Sequence, residues 1–250
     1  MAENTTAIVV AYSGSTHPDA AKAYDKLELH IREQYPNAAI RRVFTSEAIL
    51  TKLASQNKRI DSLANALEKL ALAKHQNVAV LPAMVFAGEN YINMMPTLMV
   101  FGEVFSEGVS MFRVLLDWEA DCRMFAEAFM HDIASEIGNN DALVLLAHSS
   151  HPTIEVLKKE FEKFCKNVII TTLEELPDFI KLRDKLKADK IKKVLLYPLM
   201  IAGGRHVHRD MGKIMVSALE ADNILCAPVL KGLCEYDSIC KLLAKHIIPG

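Results

Sequence analysis

Short, predominantly apolar runs bounded by small polar residues alternate along this chain with stretches of helical period. That alternation predicts parallel βαβ units rather than a sandwich or a helical bundle. The runs Ala7–Ala11, Val78–Leu81, Leu143–Ala147 and Val168–Thr171 read as buried strands, and Val194–Tyr197 reads as one more. After the first run, Ala20, Ala23, Tyr24, Leu27, Ile31 and Tyr35 recur at steps of three and four. Pro18 suits the first helical position and Pro36 ends the pattern, so a helix lies between them with one face on a sheet. Ser46 is placed to cap a second helix carrying Ile49, Leu50 and Leu53, and Leu63, Ala66, Leu67 and Leu70 form the inner stripe of a third. Further helices are expected over Tyr91–Phe101 and Asp117–Ile137, the latter with Cys122, Phe125, Phe129 and Ile133 inward, and a strand over Ser110–Leu116.

The second half repeats the first in outline. Val10-Ala11-Tyr12-Ser13 with His17-Pro18 is echoed by Leu146-Ala147-His148-Ser149 with His151-Pro152, and Val78–Pro82 with Ala87-Gly88 is echoed by Val194–Pro198 with Ala202-Gly203. Gly138-Asn139-Asn140-Asp141 breaks the helical period between them, which predicts an α/β protein of two similar halves, residues 1–138 and 139–250. Tyr12 and Asn90 then stand where His148 and His206 stand in the second half. Paired α/β halves face each other across a cleft and bind ligands beyond the carboxyl ends of their strands. Chemistry is therefore expected on the loops Tyr12–His17, Met84–Tyr91, His148–His151, Thr171–Glu175 and Ile201–His208.

Composition narrows the ligand. With 250 residues, 51% of them hydrophobic and 24% charged, disorder, collagen and coiled coil are excluded. A formal net charge of −2 gives no global attraction to nucleic acid or an anionic membrane, so an anionic ligand must meet a local basic patch. The longest apolar run, Val78–Ala87, is about half the length of a membrane span and contains Pro82. No basic segment precedes an apolar one at Met1–Thr6, so no signal peptide and a cytoplasmic location are expected. Five cysteines make an odd number, and Cys226, Cys234 and Cys240 lack the C-x₂-C spacing of metal or redox sites. Buried thiols are the expectation, ahead of an iron–sulfur cluster.

Unusual residues concentrate at the predicted strand ends. His148 follows an unbroken apolar strand, and His206 follows Pro198 to Arg205 at the matching end of a later one. Each imidazole alone is open to a capping role; two at equivalent strand ends point to ligation or catalysis. His151 and His208 add imidazoles nearby. Glu174 and Glu175 precede Pro177, and either offers a carboxylate to the same rim or simply favours a helix start. Gly203 and Gly204 allow close backbone approach or a turn, while Arg205, Arg209 and Lys213 form the basic patch a polyanion requires or a solvated helix face. Ser13-Gly14-Ser15-Thr16 matches neither nucleotide-binding glycine motif, and there is no G-x-S-x-G elbow. Two imidazoles and a carboxylate make a site for a late first-row divalent ion such as Co²⁺, Ni²⁺, Fe²⁺ or Zn²⁺.

Ala147-His148-Ser149-Ser150-His151, Thr172 to Pro177, and above all Tyr197 to His206 followed by Asp210-Met211 resemble the anaerobic cobalt chelatases of the class II chelatase group. Phe44-Thr45-Ser46 and Gly232-Leu233 with Glu235 match further landmarks, so the likeness runs over nearly the whole chain. The resemblance implies a chelatase-like fold of two α/β halves, each a small parallel sheet flanked by helices, closing on a tetrapyrrole. It implies a lyase activity, insertion of Co²⁺ into sirohydrochlorin on the route to cobalamin, with cobalt as substrate and no organic cofactor. Fe²⁺ or Ni²⁺ insertion into a related tetrapyrrole, and a non-catalytic tetrapyrrole or metal carrier, are the alternatives. Carried over, His148, Glu174 and His206 are the metal ligands and catalytic residues; Tyr12, Ser13, Glu89, Gly203, Gly204 and Arg205 are expected to bind substrate. Ser149 replaces a family glycine, and a family acidic residue falls on Asn90, leaving Glu89 to stand in beside it. Neither nucleic acid nor membrane is an expected partner, and a homo-oligomer is compatible with the sequence.

Overall fold

The computed structural model describes residues 6–178 and 180–247; residues 1–5, where no leader is expected, and the side chain of Pro177 lie outside the described residues. Two units divide the chain: Met1–Thr16, Tyr24–Leu115 and Cys240–Gly250 form the first, His17–Ala23 and Leu116–Ile239 the second.

In the first unit, four parallel strands, β1 (Ala7–Tyr12), β2 (Ala39–Phe44), β3 (Val78–Pro82) and β4 (Val109–Met111), lie in the order β2-β1-β3-β4. Every residue of β1 and β3 is buried, as strands covered by helices on both faces must be. Helix α1 (Ala20–Gln34) starts two residues later than Pro18 predicts. Helices α2 (Glu47–Ser55) and α3 (Leu63–Leu72) start where Ser46 and Ser62 accept hydrogen bonds from the amides of Ile49 and Asn65. Leu63, Ala66, Leu67 and Leu70 pack against Ala7, Val9, Val78 and Val80, the stripe and strands read from the sequence.

The helix expected over Tyr91–Phe101 is two short ones, α4 (Glu89–Ile92) and α5 (Met95–Gly102), because Pro96 suits only a first helical turn and forces a new start. The strand expected over Ser110–Leu116 is confined to β4, and the following residues leave the ladder while Val114, Leu115 and Leu116 stay buried.

The second unit repeats this topology. Strands β5 (Ala142–Ala147), β6 (Val168–Thr172), β7 (Lys193–Pro198) and β8 (Leu225–Pro228) are parallel in the order β6-β5-β7-β8. Its helices are α6 (Glu119–Ile133), α7 (Thr153–Glu162), α8 (Ile180–Ala188), a π-helix His206–Met215 and α9 (Val216–Glu220), while α10 (Asp237–Ala244) begins in this unit and has its larger part, from Cys240, in the first. The sequence repeat assigns α6 to the first half, yet its packing belongs to the second. Phe125 and Phe129 form an edge-to-face cluster with Phe161 of α7, and Phe129 also meets Tyr197 of β7. These aromatic contacts explain why the packing boundary falls near residue 116 rather than at Gly138.

Strand register fixes the correspondence between units. Ala11 pairs with Pro82 and Leu146 with Pro198. The amides of Ala83 and Leu199 donate to the carbonyls of Ala11 and Leu146, both at 2.8 Å. Ser13, not Tyr12, therefore occupies the position of His148, a shift of one from the sequence alignment. Asn90 and His206 each lie eight residues beyond their proline, so that equivalence holds.

Four of the five cysteines are buried, and burial raises the thiol pKa of Cys122 to about 11 and of Cys226 to about 12. Thiols held that firmly protonated are packing residues. No helix among the described residues is long and apolar enough to cross a membrane.

Candidate metal and tetrapyrrole site

Three chain segments of the second unit converge at the carboxyl ends of β5, β6 and β7. His148 is the first residue after β5, Glu174 lies in the 3₁₀ helix Leu173–Asp178 after β6, and His206 opens the π-helix after β7. The loop before His206 is tightly located. A Cβ on Gly203 would stand 2.9 Å from the Leu230 carbonyl oxygen, and one on Gly232 would stand 2.3 Å from Ala202 Cα. The amides of Leu233 and Cys234 hold the same loop through the carbonyls of Met200 and Ile201. Gly203 is thus required by the packing of its own chain, and Gly204 supplies the carbonyl that receives the His208 amide at 3.1 Å.

The His148 and His206 rings meet edge to face, with centroids 5.2 Å apart and planes at 85°. Loss of water around His148 lowers its imidazole pKa; the neighbouring His206 lowers it further, and Glu174 acts in the opposite direction. His148 is therefore a neutral, lone-pair-bearing ring at neutral pH. His206 is oriented by Asp210, whose Oδ2 lies 2.6 Å from Nδ1. Four residues is just under one π turn, so both side chains stay on one face of the helix. With Nδ1 donating to the carboxylate, Nε2 is the nitrogen left to accept a metal.

The two adjacent glutamates have different jobs. Glu175 turns back, its Oε2 accepting from Thr171 Oγ1 at 3.0 Å and from the Thr172 amide at 3.2 Å. Glu174 is exposed, and its Oε2 accepts from the Ser150 amide at 3.3 Å, in the loop that carries His148. His148, Glu174 and His206 thus gather on one rim as the sequence proposes. Arg205 immediately precedes the π-helix and is exposed, as are Arg209 and Lys213 at four-residue steps along it.

The candidates of the first unit are placed differently. Tyr12 is 1% exposed, and its hydroxyl lies 3.4 Å from both the Tyr24 carbonyl and Glu28 Oε1. Its side chain is part of that unit's packing, which corrects the substrate contact expected of it. Ser13 Oγ accepts from Asn90 Nδ2 at 3.2 Å, while Glu89 is exposed at the start of α4. His151, like His17, holds a helix start: its Nδ1 accepts from the Thr153 amide at 3.3 Å. Sequence reasoning assigned no role to Asp210, although its four-residue step from His206 was the available signal.

Comparison with known proteins gives the family and the fold. The family described as cobalt chelatase (CbiK) matches residues 6–249. The sirohydrochlorin cobaltochelatase CbiKC of Nitratidesulfovibrio vulgaris (strain Hildenborough) is 26% identical, with 96% of this chain and 88% of that protein covered. The sirohydrochlorin cobaltochelatase of Salmonella typhimurium (strain LT2) is 24% identical, with 96% and 94% covered. Among solved structures, sirohydrochlorin chelatase SirB of Bacillus subtilis in complex with cobalt superposes with a TM-score of 0.64 at 15% identity, covering 97% of this chain and 93% of that one. SirB with Fe³⁺ gives 0.67 at 14% identity, covering 97% and 94%. These two likenesses establish the fold.

Proposed function

From membership of the cobalt chelatase (CbiK) family, to which this chain belongs, we propose that the protein inserts Co²⁺ into sirohydrochlorin with His148, Glu174 and His206 as the metal ligands. The observation that carries this reading is the meeting of the His148 and His206 rings on one rim, with Asp210 orienting the second. The names of the two curated relatives support cobalt and sirohydrochlorin as the substrate pair. The activity is metallation of a soluble tetrapyrrole, compatible with a cytoplasmic location and with no organic cofactor.

In the reaction a divalent ion replaces the two pyrrole N–H protons of the ring, so two protons leave for each ion inserted. The ion must also exchange its ligands for ring nitrogens, which favours a site of few donors that lets it go. Neutral imidazoles suit both needs: Nε2 of His206 holds the ion through its lone pair, and an imidazole freed of metal accepts a proton near neutral pH. His148 is kept neutral by its lowered pKa, so a proton does not compete with the incoming ion. Glu174 adds one negative charge, which reduces the electrostatic cost of assembling a dication between two rings. The carboxylates of sirohydrochlorin need cations outside this set, and exposed Arg205 beside His206 is placed to supply one. Arg205→Ala is expected to raise KM with kcat less affected.

The test is anaerobic mixing of the protein with sirohydrochlorin and Co²⁺, Fe²⁺ or Ni²⁺ in turn, following visible absorbance against protein-free controls. Cobalt insertion should be accelerated most, and His206→Ala should return it to the spontaneous rate with the fold intact. Stoichiometric binding of sirohydrochlorin without acceleration by any metal would make the protein a carrier, and faster iron or nickel insertion would reassign the metal.

A further inference from the structure

A second set of metal-ligating side chains stands apart from that rim. His17, Asp19 and His208 each place one ligand atom within 4.8 Å of the others, and all three belong to the second unit. His208 is two residues beyond His206 on the π-helix, a step of nearly half a turn, so the two rings leave the helix on opposite sides. Asp19 Oδ2 is the centre of the set, 3.3 Å from His208 Nε2 and 3.8 Å from His17 Nδ1. Donors about 2.1 Å from a tetrahedral ion are roughly 3.4 Å from one another, so these separations bracket the spacing such an ion requires.

Two observations argue that the set is built for a ligand. His208 Nε2 is a buried nitrogen that makes no well-formed hydrogen bond, although Asp19 Oδ2 lies 3.3 Å away, and this arrangement carries a desolvation cost that a shared cation would relieve. Asp19 is already oriented, because Lys22 Nζ holds its other oxygen, Oδ1, at 3.0 Å and leaves Oδ2 facing the imidazoles. The His17 and His208 rings stack, with centroids 4.1 Å apart and planes at 17°. Converging their lone pairs on one ion needs rotation of a ring about χ2, a broad torsion that turns at little cost. The Asp19 amide that now donates to His17 Nδ1 does so at 3.4 Å, a long bond and a small one to exchange for a metal.

We propose that His17, Asp19 and His208 form a second divalent-metal site, selective for late first-row ions such as Zn²⁺ and Co²⁺ and independent of the insertion site. Two nitrogens and one carboxylate oxygen exclude Mg²⁺ and Ca²⁺, which take all-oxygen shells. Water completes the shell. The ion resident there links the loop before α1 to the π-helix that carries His206.

Equilibrium dialysis with Co²⁺ in the absence of tetrapyrrole tests this, with the visible ligand-field bands of the bound ion read on the same samples. The wild-type protein should bind two ions per chain, and His148→Ala/His206→Ala should keep one, with bands of a four-coordinate site. Asp19→Asn, which preserves shape, and His17→Ala should each also keep one, and adding Asp19→Asn to the double variant should remove both. Loss of all bound Co²⁺ from His148→Ala/His206→Ala, or an ion retained by that double variant after Asp19→Asn is added, would overturn the site. Because nothing is metallated, absence of chelatase activity would leave this result unchanged.

Discussion

Ser13, Ser46 and Asn90 in the first unit occupy the strand-end positions that His148, Glu174 and His206 occupy in the second. Register establishes the first and third pairs, and Tyr12 with Phe44 against Ala147 with Thr172 establishes the other, two residues beyond β2 and β6. The contacts even correspond: Ser13 meets Asn90 through a hydrogen bond where His148 meets His206 ring against ring. The Ser46 amide is bonded to the Ser13 carbonyl at 3.3 Å, and Glu174 accepts from the loop that carries His148. The bonded alcohol and amide carry no charge and call for no cation. Two imidazoles and a carboxylate leave lone pairs and charge that a cation answers. The same strand order thus carries an uncharged hydrogen-bonded pair in one unit and two imidazoles beside a carboxylate in the other, and the proposed chemistry rests on those three side chains rather than on the scaffold.

Exchanging those side chains breaks the comparison most completely. His148→Ser/His206→Asn gives the second rim the polar pair of the first, and assisted cobalt insertion should fall to the spontaneous rate while circular dichroism and melting behaviour stay near wild type. Retained acceleration would mean that the histidines are not the ligands. The orienting partner should matter less. Met94, buried in the first unit, stands where Asp210 stands, four residues beyond its rim residue. Asp210→Asn keeps the shape but removes the charge, and a loss of about 10- to 100-fold in kcat/KM for metal insertion is expected. Since Asp210 acts through His206, Co²⁺ affinity at the rim should fall with it; unchanged affinity would assign Asp210 a purely structural part.

The duplication, the parallel strands and the meeting of His148 with His206 were legible because buried parallel strands are continuous apolar runs, and such runs ending in histidine are conspicuous. The correspondence was misread by one residue because Val10-Ala11-Tyr12 and Leu146-Ala147-His148 align as well by eye as the true register does. Only the ladder against β3 and β7 separates Tyr12 from Ser13. Which of Glu174 and Glu175 faces the rim was open for a similar reason: adjacent carboxylates are equivalent in sequence until the Thr171 hydroxyl claims one. The π-helix could not be told from an α-helix, since its buried residues Val207, Met211 and Met215 recur at steps of four, which suit either. The packing boundary at α6 was missed because Phe125 and Phe129 predict an inward face without saying whose core it faces.

The glycines that shape the second rim give the next effect, in stability. Gly232→Ala and Gly203→Ala each drive a methyl into backbone, at Ala202 and Leu230, and should cost about 1–3 kcal/mol in denaturant unfolding. In the first unit Ala87 holds the place of Gly203 by the same count from proline, so the constraint is absent there. Gly88→Ala, with nothing within 4 Å of the added Cβ, should cost under ~1 kcal/mol as a lost helix cap. Equal costs for Gly88 and Gly232 would show that the loop before His206 is no more tightly held than its counterpart.

The smallest expected difference concerns the turns leading to the edge strands. Four residues before the register partners of β3 and β7 stand Phe105, buried in the first unit's apolar core, and Asp222, held by Arg183 and Lys187 of α8. Hydrogen bonds from Arg183 and then Lys187 lower the Asp222 pKa from 3.8 to about 2. A depressed carboxylate pKa contributes stability that is fully present above the unfolded value and is lost as pH falls through the folded one. Wild type should therefore melt slightly above Asp222→Asn at pH 7, by the same margin at pH 5, and the margin should close between about pH 4 and pH 2. Salt should shrink it as well, since the Arg183 and Lys187 side chains are partly exposed. A margin that persists below pH 2 would mean that Asp222 acts by shape, as Phe105 does, and that the two turns are held by the same physics after all.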